Sequence, residues 1–168
     1  MNNFPSENET YSQKNNFIVG TELPNLKIQS IFGSGSFSDF LGHNLVIFFY
    51  PKDDTPGCTI EANDFSALHN EFLKIDTQVI GISKDTLDSH IKFKNKYSLT
   101  VNLISDTSEE ICKTFNVIKE KNMYGKKYLG IERSTFFINS VGILKKEWRK
   151  VSVNDHAKEV LDFIKKFN

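Results

Sequence analysis

The sequence predicts a layered α/β domain in which helices flank a central mixed sheet. Three short apolar segments have the length and continuous hydrophobicity of strands that are buried on both faces. Stretches with helical periodicity alternate with them, an order that is typical of β-α-β units. Two further strand-like segments, STFFIN and ILKKEW, flank the turn Ser140-Val141-Gly142, which indicates a closing antiparallel hairpin.

The predicted strands differ in how clearly the sequence marks them. The first, with the sequence LVIFFY, is apolar throughout, whereas the third, VNLI, contains a polar residue and is the weakest. The five predicted strands cover residues 45–50, 79–83, 101–104, 134–139 and 143–148.

Helices are predicted between and after these strands, at residues 59–73, at 86–96, from residue 107 and at 155–167. Asp85 precedes the second helix as a candidate N-cap, and Thr107 with Glu110 forms a capping-box pattern for the third. The first helix has an apolar face of Phe65, Leu68 and Phe72, and the last one of Ala157, Val160, Leu161 and Ile164.

The domain organisation is simple. The length of 168 residues suits one domain. Residues 1–16 are polar and contain five Asn, so we expect a flexible tail there and a single domain at residues 17–168.

The charge balance argues against several classes of protein. Lys and Arg number 21, as do Asp and Glu, whereas a nucleic-acid binder would carry a basic surplus. No segment approaches the roughly 18 apolar residues of a membrane-spanning helix, and the N-terminus lacks the pattern of a secretory signal. We therefore expect a cytoplasmic protein with neither nucleic acid nor membrane as a partner.

The two cysteines, Cys58 and Cys112, are too few for a disulfide scaffold or a cysteine-based zinc site. In the cytoplasm they would be kept reduced, so a cysteine in an unusual setting indicates chemistry. No histidine has a partner at helical spacing, and we expect none of the four to be a metal ligand. They are His43, His69, His90 and His156.

Cys58 has an unusual setting. It lies in residues 51–61, which join the first predicted strand to the first predicted helix and contain two of the four prolines, Pro51 and Pro56. This stiff loop delivers Cys58 to the first turn of a helix at the carboxyl end of a strand, where ligands gather in open α/β sheets. Backbone N–H groups and the helix dipole stabilise a thiolate there.

The helix dipole alone is too weak to ionise a thiol. An ordinary thiol with a pKa of about 8.5 is ~3% ionised at pH 7, and about 90% ionisation needs roughly 3.4 kcal/mol, whereas a dipole contributes about 0.3–1 kcal/mol. A second positive group is required, and Arg133, just before the fourth strand, is the leading candidate of the two arginines. The alternatives are that Cys58 is a small buried apolar residue and that Arg133 is a solvated charge beside Glu132.

Two segments carry a resemblance to a known family. Pro51-x-x-x-Thr55-x-x-Cys58 resembles the active-site signature of the peroxiredoxins. The strings FYPKDDTPGCTIEA (residues 49–62) and KNMYGKKYLGIERSTFFI (residues 121–138) are similar to the bacterioferritin-comigratory or Q-type subfamily. The resemblance implies a thioredoxin-like fold and a thiol-specific peroxidase in antioxidant defence. Such an enzyme reduces hydrogen peroxide and organic hydroperoxides with neither a metal nor an organic cofactor.

The resemblance also implies a role for each matching residue. Cys58 would be the nucleophile that attacks the peroxide and becomes a sulfenic acid. Thr55 would exchange hydrogen bonds with the thiolate and the peroxide, and Pro51 would shield the pocket from water. Arg133 would polarise the peroxide and stabilise the thiolate, while Glu61 would act indirectly by orienting its neighbours.

The chain departs from the subfamily in how the sulfenic acid would be reduced. Many members have a resolving cysteine five residues after the first, where this chain has Asn63. We expect Cys112 to pack in the core beside Ile111 and Phe115, with resolution of Cys58 as the alternative. The favoured hypothesis is a one-cysteine mechanism, in which thioredoxin, glutaredoxin or a low-molecular-weight thiol supplies the electrons.

Two other functions are compatible with the sequence. A thiol–disulfide oxidoreductase uses Cys-x-x-Cys, but Thr55 stands where the first of those cysteines would be. A non-catalytic holdase with the same fold would not need the matching residues around Cys58 to be intact. For either function or for the peroxidase, we expect a monomer or a weak dimer.

Three polar segments are interpreted without a catalytic role. Gly33–Ser36 is rich in glycine but lacks the Gly-Lys-Ser/Thr of a phosphate-binding loop. It is therefore predicted to be a polar turn before the first strand. Asp53-Asp54 is interpreted as a charged pair in a loop. Residues 119–127, which are rich in lysine, are predicted to be a solvated loop, with docking of a reductant or substrate as the alternative.

Overall fold

The computed structural model describes residues 17–167, so the predicted tail at residues 1–16 lies outside the described residues. The strands are β1 (Lys27–Ser30), β2 (Gly33–Ser36), β3 (Asn44–Phe49), β4 (Thr77–Ser83), β5 (Asn102–Ser105), β6 (Ile118–Met123), β7 (Lys126–Ile131), β8 (Ser134–Ile138) and β9 (Leu144–Trp148). The helices are α1 (Pro56–Ala67), α2 (His69–Lys74), α3 (Leu87–Tyr97), α4 (Glu110–Thr114) and α5 (His156–Phe167), and a 3₁₀ turn covers Phe37–Phe40.

Seven strands form a mixed sheet in the order β2-β1-β5-β4-β3-β8-β9. β3, β4 and β5 are parallel neighbours, whereas β8 and β9 form the predicted antiparallel hairpin next to β3. All five predicted strands are present with bounds within two residues of the prediction, which confirms the predicted fold class. Phe49, the last residue of β3, pairs with Ser134, the first residue of β8. This pairing brings Arg133, which immediately precedes β8, next to the end of β3.

The sheet separates two hydrophobic cores. Alternate residues of β3 point to opposite faces, as the two-residue period of a strand requires. One core contains buried residues of α1, α2, α3 and α5, including Cys58. The other contains residues of α4, including Cys112, and the aromatic side chains of Phe17 and Phe37. The two cysteines therefore belong to cores on opposite faces of the sheet.

The helix boundaries correct three predictions. The first predicted helix begins at Pro56 rather than residue 59, since proline suits the first turn of a helix, and it breaks into α1 and α2 at Leu68. Thr86 rather than Asp85 caps α3, because the Thr86 hydroxyl accepts from the Ser89 backbone N–H at 3.2 Å.

The capping box predicted for the third helix is also wrong. The buried carboxylate of Asp106 accepts from the backbone N–H groups of Ile111 at 3.1 Å and Cys112 at 2.7 Å. A single acid outside the helix thus satisfies two donors that Thr107 and Glu110 were expected to help satisfy.

Two predicted irregular segments are regular strands. Gly33–Ser36 is β2, an edge strand paired with β1, and not a turn. Residues 119–127 lie in a hairpin of β6 and β7, and not in a loop. Tyr124 and Gly125 connect its strands with φ of 53° and 78°, the left-handed backbone that a tight two-residue hairpin turn requires. In the range 17–167, no helix is long and apolar enough to cross a membrane.

Candidate active site

Cys58 lies in the first turn of α1, immediately after the loop that leaves β3. Thr55 is the N-cap of this helix, but its side chain makes no capping hydrogen bond. The first backbone N–H groups of α1 are therefore not capped by that side chain, which leaves the positive end of the helix next to the thiol. The side chain of Cys58 is free and buried, with 1% of the residue exposed.

Arg133 joins Cys58 to Glu61. Its Nη2 donates to Cys58 Sγ at 3.4 Å, and its Nη1 donates to Glu61 Oε1 at 3.0 Å. Burial lowers the pKa of Arg133, but the charges of Glu61 and Cys58 outweigh it and raise that pKa above the ordinary value. The predicted pairing of Arg133 with Cys58 is present in the structure, and a single guanidinium serves two acidic groups.

Gly57 provides the space for this contact. A Cβ atom at Gly57 would lie 3.1 Å from Arg133 Nη2, closer than almost all such contacts in proteins. The φ of Gly57 is not positive, so the requirement for glycine here is steric and comes from the guanidinium rather than from the backbone.

Glu61 is the more unusual partner. It is 1% exposed, and its Oε2 has no hydrogen-bond partner among the described residues. Burial raises the pKa of Glu61 to about 7, against the opposing effect of Arg133, and Asp64 raises it further. An acid that binds a proton near neutral pH thus lies one helical turn from the thiol.

Two of the predicted site residues, Thr55 and Pro51, make no hydrogen bond to the sulfur within residues 17–167. The hydroxyl of Thr55 donates to the backbone carbonyl of Lys52 at 2.8 Å, which leaves its lone pairs available as acceptors. Pro51 is half-buried at the start of the same loop. Both residues lie in the loop that leads to Cys58, while Arg133 makes the hydrogen bond to the sulfur.

A buried hydrogen-bond network lies beneath this loop, and the sequence did not reveal it. Asp53 is 7% exposed, and it accepts from the Tyr50 hydroxyl at 2.6 Å and the Ser89 hydroxyl at 2.8 Å. His90 Nδ1 lies 2.7 Å from the same carboxylate. Asp53 and Asp54 both lie in a loop, as predicted, but only Asp54 is at the surface, where it pairs with Lys96, whereas Asp53 is buried in the network.

The network holds a proton between His90 and Asp53. His90 Nε2 lies 3.0 Å from the Ile104 carbonyl, which can only accept, so Nε2 carries a hydrogen. Nδ1 and a carboxylate oxygen would both be acceptors, and their 2.7 Å contact therefore requires one further proton. Burial, together with the charge of Asp53, raises the pKa of Tyr50, so Tyr50 remains a donor.

Asp53, Asp85 and His90 form a group whose ligand atoms lie within 4.8 Å of one another, which is close enough for a metal ion. Both Asp53 oxygens and one Asp85 oxygen, Oδ2, already have donors, however. Asp85 accepts from the Asp53 backbone N–H at 2.9 Å and from the Ser83 hydroxyl at 2.6 Å. We therefore interpret the group as a hydrogen-bonded brace between the Cys58 loop and α3.

Lys121 is a second cation near the site, and the sequence offered no specific signal for it. Its stem passes over Gly130, where a Cβ atom would lie 3.3 Å from Lys121 Cδ. Burial and the charge of Arg133 lower the pKa of Lys121, while Cys58 and Glu132 oppose that shift. The β6–β7 hairpin thus contributes a lysine to the same cluster of charges as Arg133.

Cys112 is not placed to reach Cys58. It lies in the core on the other face of the sheet and has no measurable exposure. Burial, together with the carboxylate of Asp106, raises the pKa of Cys112 far above that of an ordinary thiol. Its surroundings fit the predicted packed core residue beside Ile111 and Phe115.

The sequence is similar to a known protein family and to several of its members. The model of the AhpC/TSA family matches residues 19–147. Peroxiredoxin Bcp of Bacillus subtilis is 45% identical over 148 residues, which cover 88% of this chain and 94% of that protein. Peroxiredoxin Bcp of Xanthomonas campestris is 52% identical over 124 residues, or 74% of this chain and 78% of the relative.

A solved structure gives the same picture for the fold. The bacterioferritin comigratory protein of Xanthomonas campestris superposes with a TM-score of 0.83 and 44% identity, covering 89% of this chain and 99% of that one. That structure was described for its alkyl peroxide reduction activity in a trapped intermediate and ligand complex.

Proposed function

Because the chain belongs to the AhpC/TSA family, among the Bcp and Q-type peroxiredoxins, we propose that it is a thiol peroxidase whose nucleophile is Cys58. The resemblance predicted from the sequence and the thioredoxin-like fold that it implied are thereby confirmed. The observation that carries the assignment of the nucleophile is the 3.4 Å hydrogen bond from Arg133 Nη2 to Cys58 Sγ at the start of α1.

The proposed reaction is a two-electron oxidation of the Cys58 thiolate. The sulfur attacks the terminal oxygen of hydrogen peroxide or an organic hydroperoxide, the O–O bond breaks and an S–O bond forms. The leaving oxygen takes a proton and departs as water or an alcohol, and Cys58 becomes a sulfenic acid. Arg133 stabilises the thiolate beforehand and the negative charge that moves onto the peroxide oxygens during the attack.

Thr55 and Pro51 have supporting roles in this proposal. A rotation of the Thr55 hydroxyl away from the Lys52 carbonyl turns it toward the site, where it can donate to and accept from a bound peroxide. Pro51 stiffens the loop and excludes water from one side of the pocket. These two residues position the two peroxide oxygens in line with the sulfur.

We further propose that an external thiol reduces the sulfenic acid in a one-cysteine mechanism. Three features support this. Asn63, which is exposed on α1, replaces the nearby resolving cysteine, Cys112 lies in the opposite core, and burial suppresses ionisation of the Cys112 thiol. Thioredoxin, glutaredoxin or a small thiol would supply the electrons, which suits the cytoplasm because that compartment keeps such thiols reduced.

Stopped-flow kinetics tests the peroxidase. Reduced protein is mixed with hydrogen peroxide, and the oxidation of Cys58 is followed by the change in protein fluorescence, with Cys58→Ser as the control. We expect a rate far above that of a free thiol. A rate equal to that of a free thiol would leave a thiol–disulfide oxidoreductase or a holdase as the function.

A peptide map tests the one-cysteine mechanism. After one equivalent of peroxide, the non-reduced digest should contain Cys58 as a sulfenic acid that dimedone traps, and Cys112 as a free thiol. A disulfide between Cys58 and Cys112 would contradict the mechanism. Peroxide consumption coupled separately to thioredoxin and to glutathione with glutaredoxin then identifies the reductant.

A further inference from the structure

Glu61 is the buried acid to which the proposed reaction gives no chemical role. One oxygen accepts from Arg133 Nη1 at 3.0 Å, and the other has no partner among the described residues. The second nitrogen of the same guanidinium donates to Cys58 Sγ. When Cys58 is a thiolate and Glu61 a carboxylate, two anions share one cation in a site that excludes water.

The charged groups around Glu61 do not supply a second cation to it. On α1 its neighbour is Asp64, whose negative charge raises the pKa of Glu61. At α5, which packs against α1, the acids act on other groups: Asp155, just before the helix, raises the pKa of Asp64, and Glu159 lies 3.8 Å from His156 Nδ1. Burial lowers the pKa of His156, which keeps that ring neutral near pH 7. Lys121 belongs to the β6–β7 hairpin, and the charges that act on it are those of Arg133, Cys58, Glu132 and Lys84.

We propose that Glu61 holds a proton while Cys58 is a thiolate and releases it when the sulfur is oxidised, so that Arg133 always faces one anion. The proposal rests on the peroxidase function given above. It makes Glu61 a proton store coupled to the redox state of Cys58, in addition to a residue that orients Arg133.

The step balances in atoms, protons and charge. The thiolate of Cys58, the carboxylic acid of Glu61 and a hydroperoxide become the sulfenic acid of Cys58, the carboxylate of Glu61 and an alcohol, or water from hydrogen peroxide. The sulfur loses two electrons, and the O–O bond accepts them. The leaving oxygen takes one proton from solvent and Glu61 returns one to solvent, so the total charge of the cluster stays the same on both sides.

Two physical arguments favour this arrangement. Like charges that share a buried site do not both ionise readily, as with paired carboxylates that share one proton. Burial of the unpartnered Oε2 makes the charged form of Glu61 costly, and a pKa of about 7 keeps its proton exchangeable at neutral pH. When the sulfur becomes neutral, Arg133 is free to stabilise the carboxylate, which lowers the affinity of Glu61 for its proton.

Proton uptake during a single turnover tests the proposal directly. Reduced protein is mixed with one equivalent of hydrogen peroxide in weak buffer at about pH 6.5, where a carboxyl with a pKa of about 7 is mostly protonated, and an indicator dye counts protons taken from solvent. We expect the wild type to take up well below one proton per Cys58 oxidised and Glu61→Gln to take up about one, because the amide has no proton to release. Equal uptake in the two proteins would overturn the proposal.

Asp64→Asn is the matched control. It removes one negative charge from the same helix but leaves Glu61 and its bond to Arg133 in place. Because Asp64 contributes the smallest of the effects on the pKa of Glu61, we expect the proton uptake of Asp64→Asn to stay close to that of the wild type and well below that of Glu61→Gln. If uptake in Asp64→Asn rises to that of Glu61→Gln, the effect belongs to the general charge of α1, and the assignment to Glu61 is wrong.

A second measurement needs neither turnover nor a stable Glu61→Gln protein. Carbon-13 NMR follows the carboxyl groups of glutamates in the reduced wild type and in Cys58→Ser. Because coupling between two sites is reciprocal, the Glu61 carboxyl should titrate at a lower pH in Cys58→Ser, by about one pH unit. Equal midpoints would overturn the proposal. A peroxide rate equal to that of a free thiol would instead refute the peroxidase, and the NMR titration would still test Glu61.

Discussion

Asp53 and Glu61 are buried carboxylates on either side of Cys58 in the chain, but the structure surrounds them with different sets of donors. Asp53 contacts the hydroxyls of Tyr50 and Ser89 and the imidazole of His90, and both of its oxygens have donors. Glu61 has one partner, Arg133, and one oxygen with none. Only the partner of Glu61 also contacts the sulfur of Cys58.

The difference separates a structural acid from a chemical one. A buried carboxylate whose oxygens all have hydrogen-bond donors holds its neighbours in one conformation. The hydrogen bonds of Asp53 with Ser89 and His90 hold the Cys58 loop against α3 in this way. A buried acid that lacks hydrogen bonds is poised between its charged and neutral forms, which is the property a reaction can use. Removing Asp53 should therefore reduce stability, and changing Glu61 should alter how the protein responds to pH.

The largest effect is expected from breaking the Asp53 site. Asp53→Ala leaves the Tyr50 hydroxyl and His90 Nδ1 buried without the carboxylate that they contact, and should lower the free energy of unfolding by about 3–5 kcal/mol. Urea denaturation of the reduced protein measures it.

The control for this experiment is the adjacent acid. Asp54→Asn removes an exposed ion pair with Lys96 and keeps a side chain that tolerates the φ of 56° at this position. It should change stability far less than Asp53→Ala does. Comparable losses in the two proteins would show that the buried brace is not the source of the stability.

Glu61→Gln should change how stability depends on pH. The pKa of Glu61 is about 7 in the folded protein against an ordinary value of 4.5, so the folded state binds the proton more tightly. Wild-type stability therefore contains a contribution that is complete below pH 4.5 and is lost as the pH rises to about 7.

The variant lacks this titration, so its stability relative to the wild type should rise across that window, by at most about 3 kcal/mol. Denaturation midpoints at a series of pH values measure the difference. A constant difference between pH 4.5 and 8 would mean that Glu61 does not titrate there.

Arg133→Ala tests the cation that the two anions share. Loss of the guanidinium removes the donor to Cys58 Sγ, and we expect the reaction with peroxide to slow by at least about tenfold, or 1.4 kcal/mol. Stopped-flow rates measure it. Arg133→Lys keeps the charge without the two-pronged donor and should fall between the wild type and Arg133→Ala, whereas an unchanged rate in Arg133→Ala would remove Arg133 from the mechanism.

Gly57→Ala should have the smallest effect. The new Cβ would lie 3.1 Å from Arg133 Nη2 and would shift the guanidinium by a few tenths of an ångström. We expect the peroxide rate to fall only about twofold to fivefold, which is within 1 kcal/mol. In an Arg133→Ala background the same substitution should have no further effect, and an additive loss would place its cause elsewhere.

The sequence predicts the fold and the position of the thiol well because both depend on strong local signals. The apolar runs of β3 and β4 mark buried strands, and the two prolines mark a stiff loop before the helix of Cys58. It failed at β2 because glycine and serine are poor strand formers, whereas pairing with β1 decides their conformation there. At Gly35 a Cβ atom would lie 2.5 Å from Asp39 Oδ2, a contact that no local pattern reveals.

Local sequence patterns also do not predict the hydrogen-bond network around Asp53. His90 lies 37 residues from Asp53, and nothing in its own helix indicates that the two meet. Arg133 was predicted to join Cys58 because the chemistry of a thiolate demanded a cation and the chain has only two arginines. The unpartnered oxygen of Glu61 is a property of packing, and only the structure reveals it.

The contact between Arg133 and Cys58 joins residues 75 positions apart in the chain. During synthesis the helix that carries Cys58 emerges well before β8, and at ~5–20 residues per second the arginine follows several seconds later. Until β8 pairs with β3, the cysteine of the nascent chain lacks the donor that Arg133 provides in the folded protein. A chain that ends before β8 would therefore contain Cys58 without the guanidinium that contacts its sulfur.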